Sequence, residues 1–149
     1  MKSRALIVAS TLLLVFTATL FARVDLKGVK CLMNPKAAAK EAKSVDYKGG
    51  KVFFCCDNCP KKFDAKKHAV KANHQLFATG QFKQKNCPLT GRKLNAKQVV
   101  KVGGKDVQFC CPGCKGKVAK AKGAAQAELV FNNKNFDKHF VSAVKKEKK

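Results

Sequence analysis

The chain has 149 residues and a formal net charge of +23, from 32 lysines and arginines against nine acids. So few carboxylates make oxygen-ligand metals such as calcium poor candidates. With three arginines (Arg4, Arg23, Arg92) and no tryptophan, bidentate base reading and stacking platforms are poorly supplied, and no specific nucleic-acid recognition is expected. The lysine surplus suits an anionic polymer or membrane surface, or simply a solvated lysine coat.

Residues 1–22 carry a short basic region (Lys2, Arg4) and an apolar run from Ala5 to Phe21. That pattern predicts a secretory signal peptide and a secreted or periplasmic protein. Leu20 is large for its place before a cut after Ala22, so an uncleaved N-terminal anchor is the alternative. The remainder suits one ordinary domain, or two units of about 55 residues that each need metal, disulfides or a neighbour for stability.

The chain then states one plan twice, with a period of 55 to 56 residues. The first repeat, 24–82, opens with Cys31 and an alanine-lysine stretch, Pro35 to Lys43, expected to form a short helical turn. Val45-Asp46-Tyr47 and Lys51-Val52-Phe53-Phe54 flank Lys48-Gly49-Gly50, which predicts a β-hairpin. The knuckle Cys55-Cys56-Asp57-Asn58-Cys59 follows. Pro60 stands at a first helical position, and Lys61 to Gln75 has helical composition. The second repeat, 83–140, opens with Cys87-Pro88-Leu89-Thr90-Gly91. Gln98 to Val102 and Lys105 to Phe109 flank Gly103-Gly104, and Cys110-Cys111-Pro112-Gly113-Cys114 leads into a helix over Lys115 to Glu128. The tails also resemble each other, with Gln75-Leu76-Phe77…Phe82 against Glu128-Leu129-Val130-Phe131…Phe136. Residues 141–149 form a basic tail. The predicted fold class is α+β: two small units in tandem, each a lone cysteine, a hairpin, a cysteine knuckle and a helix.

A turn that presents two thiolates, with a third brought close by a hairpin, has zinc-ribbon-like geometry. Either Cys55 or Cys56 can pair with Cys59. Consecutive residues on an extended strand point to opposite faces, so both reach one metal only where the chain has already turned. The one left out is a small buried hydrophobe or a free thiol. Three thiolates suit Zn(II) or Cu(I), and four make a closed structural zinc site. Cys59 and Cys114 fall at predicted helix N-termini among lysines, which should lower their pKa. A disulfide framework is the competing reading for an exported chain with eight cysteines. A Cys-x-x-Cys redox role lacks the βαβ context it needs. His68, His74 and His139 are not duplicated, so they are not expected to be shared ligands, and His68 and His74 are assigned to a helix surface or face. Met33 has Leu89 as its counterpart, which favours packing. No catalytic constellation is present, and the expectation is a protein that is not an enzyme.

The order Cys31-Leu32-Met33, Asp46-Tyr47-Lys48-Gly49-Gly50, Phe54-Cys55…Cys59 and Lys61-Lys62-Phe63 resembles the YHS/TRASH family of small metal-binding modules. Cys87 to Gly91, Gly103-Gly104 and Phe109-Cys110…Cys114 match it a second time. The resemblance implies treble-clef-like units that bind, sense or traffic a heavy-metal ion. It implies Cys31, Cys55, Cys59 and Cys87, Cys110, Cys114 as ligands of Zn(II) or Cu(I), up to two per chain. Cys56 and Cys111, where many members carry a small residue, are candidate fourth ligands or free thiols. Val118 stands where a phenylalanine is usual. The alternative function is a basic polyanion-binding or adhesion module stapled by structural zinc or disulfides.

Overall fold

The structure, a computed structural model, describes residues 24–143. The predicted signal segment and the basic tail beyond residue 143 lie outside the described residues. The chain is α+β, with two hairpin–knuckle–helix units. Strand β1 (Lys40–Tyr47) pairs antiparallel with β2 (Gly50–Phe54), and β4 (Asn95–Val102) with β5 (Lys105–Phe109). Each hairpin closes on two residues of positive φ, Lys48 (50°) and Gly49 (78°), then Gly103 (58°) and Gly104 (84°). Those values fit the turn whose twist matches that of paired strands. The first turn is thus Lys48-Gly49, and Gly50 already belongs to β2, opposite Tyr47. A Cβ on Gly50 would lie 2.8 Å from both Leu76 Cδ2 and Gln81 Oε1, so the close approach of the next element requires glycine there. The duplication extends to a defect: the register shifts between Lys40 and Ser44 and again between Asn95 and Val99.

Two expectations about helices are corrected. Pro35 to Lys43 is not helical beyond one turn, in which the Ala37 N–H reaches the Asn34 carbonyl. The chain then runs extended, Lys30 bridging Ala38, and enters β1 at Lys40. Pairing with the Cys31 segment satisfies backbone groups that a short isolated helix would leave to water. The helix expected from Lys61 to Gln75 is two: α1 (Asn58–Lys61), in which Pro60 is third rather than first, and α2 (Ala69–Ala78). Between them Asp64 Oδ1 accepts the N–H groups of Lys66 and Lys67, a local turn that competes with helix. Likewise Lys115 to Glu128 divides into α3 (Pro112–Lys120) and α4 (Gly123–Phe131), with Ala121 and Lys122 extended between them.

The second break lets α4 lie against α2, and one core draws on both repeats. Val52, Phe54 and Leu76 from the first and Val102, Phe109 and Phe131 from the second are all sealed from solvent. Asn73 on α2 stitches the halves, its Nδ2 donating to the Phe131 carbonyl (2.8 Å) and to Asn133 Oδ1 (3.1 Å). Past α4, α5 (Asn133–His139) leads into β6 (Phe140–Ser142), which pairs with β3 (Phe82–Gln84) at the junction of the repeats. In this ladder Phe82 stands opposite Ser142 and Gln84 opposite Phe140. Phe136 and Phe140 stack at 4.9 Å, with Phe82 and Phe131 against them. No helix among the described residues is long and apolar enough to cross a membrane.

A two-stranded hairpin exposes an unpaired edge and is marginal alone. Here glutamine amides serve as the missing strand. Gln75 accepts from the Phe53 N–H (2.7 Å) and donates to its carbonyl (3.0 Å), and also to the Lys30 carbonyl. Gln81 does the same at Lys51, and Gln84 at Gln108 in the other hairpin. Gln75→Ala leaves the buried Phe53 N–H without a partner and its carbonyl with only the Leu32 N–H (3.3 Å), and should cost about 1–3 kcal/mol, read as a lower urea midpoint.

His74, expected on a helix surface or face, faces the second hairpin. Its ring meets Phe131 edge-on at 5.1 Å, and a Cβ on Gly103 would stand 2.3 Å from its Nε2. Burial holds its pKa below the usual 6.5, outweighing the Val102 and Gly103 backbone, which favours the charged ring. The unfolded chain therefore takes up this proton first as pH falls. The contribution of neutral His74 is complete above about pH 6.5 and is lost as pH drops toward the folded value. Urea midpoints of wild type and His74→Gln should accordingly converge between pH 7.5 and pH 5.

Candidate metal centres

β2 and β5 end on Phe54 and Phe109, both fully buried, which fixes where each knuckle starts. After Phe54 the chain bends, so that the Cys55 and Cys56 sulfurs stand 3.8 Å apart, whereas Cys111 keeps an extended backbone. The Sγ atoms of Cys31, Cys55 and Cys59 all lie within 4.8 Å of one another, and so do those of Cys87, Cys110 and Cys114. Cys55 and Cys59 are 3.7 Å apart, and Cys110 and Cys114 likewise 3.7 Å. Cys56 lies beside two of these sulfurs, 3.4 Å from Cys59 and 3.8 Å from Cys55, but outside the 4.8 Å set that includes Cys31. Sulfurs on a tetrahedron about 2.3 Å from a central ion stand about 3.8 Å apart, so the spacing matches that of a zinc-thiolate site. These separations are far longer than a disulfide bond of about 2.05 Å, and all eight cysteines are free thiols.

The lone cysteines are held by backbone. The Cys31 N–H reaches the Ala37 carbonyl (2.9 Å), the Ala39 N–H reaches Val29, and the Asn34 N–H points at Cys31 Sγ (3.4 Å). Cys87 sits in a loop closed by Cys87 N–H to Arg92 and Gly91 N–H to Cys87, with Asn86 Nδ2 on the Gly91 carbonyl. Both are buried. Thr90, three residues after Cys87 as Asn34 is after Cys31, brings its hydroxyl within 3.3 Å of Cys110 Sγ. That contact was not foreseen; its trace in the sequence is the polar residue at the third place after each lone cysteine.

Ionisation within each cluster is uneven, and not in the order the helix N-termini suggested. Hydrogen bonding to Cys56, then burial and the sulfurs of Cys55 and Cys31, push Cys59 up to about 12. Burial, then contact with Cys111, Cys110 and Cys87, raise Cys114 to about 12. Burial also opposes ionisation of Cys87, but hydrogen bonds from the Thr90 hydroxyl and the backbone at Cys110 and Leu89 outweigh it, giving about 7. Cys56 is lowered chiefly by hydrogen bonds from the Cys59 side chain and backbone, and Cys111 by the Cys114 backbone and the neighbouring thiols. Thiolates this close cannot all stay charged without a cation among them. A four-residue α1 has too little dipole to reverse that repulsion at Cys59.

Among the described residues no histidine joins a cluster of metal-ligating side chains. His68 bonds through Nδ1 to the Asp64 backbone and stacks on Phe63, and His139 lies over Gly91. Met33 and Leu89 both pack half-buried against the core, which fits the packing expectation. No family profile, curated protein or solved structure matches the chain.

Because the last thiol of each cluster sits near 12, uptake of a soft cation must release protons, and affinity must fall with pH. Protein loaded with Co(II) should show thiolate-to-cobalt charge-transfer absorption at pH 8 that fades reversibly by pH 5.

Proposed function

We propose that the chain is an exported, non-enzymatic protein that holds Zn(II) or Cu(I) in two thiolate sites for metal binding, sensing or trafficking. The observation that carries this reading is the pair of cysteine triads, each with all Sγ atoms within 4.8 Å. Donors that are all sulfur select soft or borderline ions over calcium and magnesium. The YHS/TRASH resemblance, with the ligands it implies, points the same way. Export rests on the sequence of residues 1–22 alone. Native mass spectrometry with and without reductant tests the reading. Two metals per chain are expected, falling to one in Cys31→Ser and one in Cys87→Ser. Cysteines found paired in disulfides, with less than about one metal bound, would overturn it.

A second reading is polyanion binding with the metal purely structural. What favours it is a cleft of about 810 Å³ between α2, the second hairpin turn and the start of α4, lined by Lys27, Lys67, Lys71 and Lys105. It requires affinity for DNA or an acidic polymer that weakens steeply between low and physiological salt. Salt-independent or absent binding removes it.

A further inference from the structure

The two thiolate clusters are copies in sequence but not in exposure. Cys31 and Cys87, 2% and 0% exposed, anchor both. In the second cluster Cys114 is also buried (9%) and Cys111 is half-covered. In the first, Cys59 is only half-buried and Cys56 is exposed, while the two residues between the last knuckle cysteines are exposed in both. The supporting helices differ in the same sense. Helix α3 runs nine residues from Pro112 and roots its knuckle in the core through Cys114 and Val118. Helix α1 is a single turn that buries no residue. Cys110 also has the Thr90 hydroxyl at 3.3 Å, a contact with no side-chain equivalent at Cys55.

Accepting the two-site reading above, we infer that the sites have divided labour: the second retains its ion, and the first exchanges it through Cys56. The Cys56 sulfur stands 3.4 Å and 3.8 Å from the other two knuckle sulfurs, at the outer side of the triad away from Cys31, where it can reach an ion as the fourth thiolate, and it is the one thiol of the eight that is exposed. Exchange then needs no opening of the core. An incoming thiolate, from a small thiol or a cysteine-bearing acceptor protein, forms its bond to the ion as the bond from Cys56 breaks. One thiolate enters and one leaves, so the charge at the ion is unchanged, and the freed Cys56 thiolate takes a proton from water. Cys31, Cys55 and Cys59 keep the ion in place until further acceptor thiolates replace them in turn. In the second site the corresponding thiol, Cys111, is half-covered and followed by Pro112, which fixes the backbone at the start of α3.

Zinc-loaded protein mixed with excess chromogenic chelator tests this. Release is expected in two phases of equal amplitude, separated by roughly 10- to 100-fold in rate. Cys56→Ser, at an exposed position outside the core, should speed the fast phase and leave the slow one unchanged. Cys111→Ser should leave the fast phase unchanged. Cys87→Ser should keep only the fast phase and Cys31→Ser only the slow one. A single phase for both ions, or a fast phase indifferent to Cys56→Ser, would overturn the inference while leaving the two-site reading intact. A chain that binds no zinc at all would end both.

Discussion

Sulfur atoms held between 3.4 and 3.8 Å apart are the constraint on which the molecule turns. Thiolates at that spacing repel, and the thiols that ionise last are displaced to about 12, so the arrangement is costly unless a cation shares it. The fold meets the cost in advance. Buried phenylalanines end the hairpins at the knuckles, and the lone cysteines are locked by backbone hydrogen bonds before any ion arrives. Preorganisation of this kind moves the entropy of gathering ligands into folding and leaves binding to supply only coordination.

Neither hairpin has enough surface to stand alone, and the solution is the same on both sides of the duplication. A glutamine amide presents a donor and an acceptor at the spacing of a backbone edge, so Gln75, Gln81 and Gln84 each close one rung of an otherwise open strand. Two of these come from α2 and the segment after it, and the third from the junction strand β3. The elements that seal the sheets are thus those that bind the halves together through Asn73, α4 and the phenylalanine cluster. Metal-site geometry and the joint core are coupled through these amides.

The surface charge plays little part in this. The ion pairs of the described residues, among them Lys48 with Asp137 and Lys101 with Asp106, involve exposed groups and contribute little to stability. The remaining lysines are left to solvent or to a partner of opposite charge.

The duplicated Cys…Cys-Cys-x-x-Cys spacing, the glycine turns and the alternating strands determined the two hairpin units and that each knuckle stands with a lone cysteine, while the choice of Cys55 and Cys110 over their neighbours came from the family resemblance. These are local signals: a turn type and a strand period need no knowledge of the rest of the chain. Helix composition misled, because lysine- and alanine-rich runs satisfy helix propensity at Pro35 to Lys43 and Lys61 to Gln75 without saying where a segment must stop to pair or pack. Only the tertiary structure decided that Cys56 sits beside Cys55 and Cys59, that His74 is an interface residue, and that the two clusters differ in exposure. His74 depends on what the other repeat sets against it, and the exposure of each cluster on how far its own knuckle helix runs and what that helix buries, neither of which the shared cysteine spacing records.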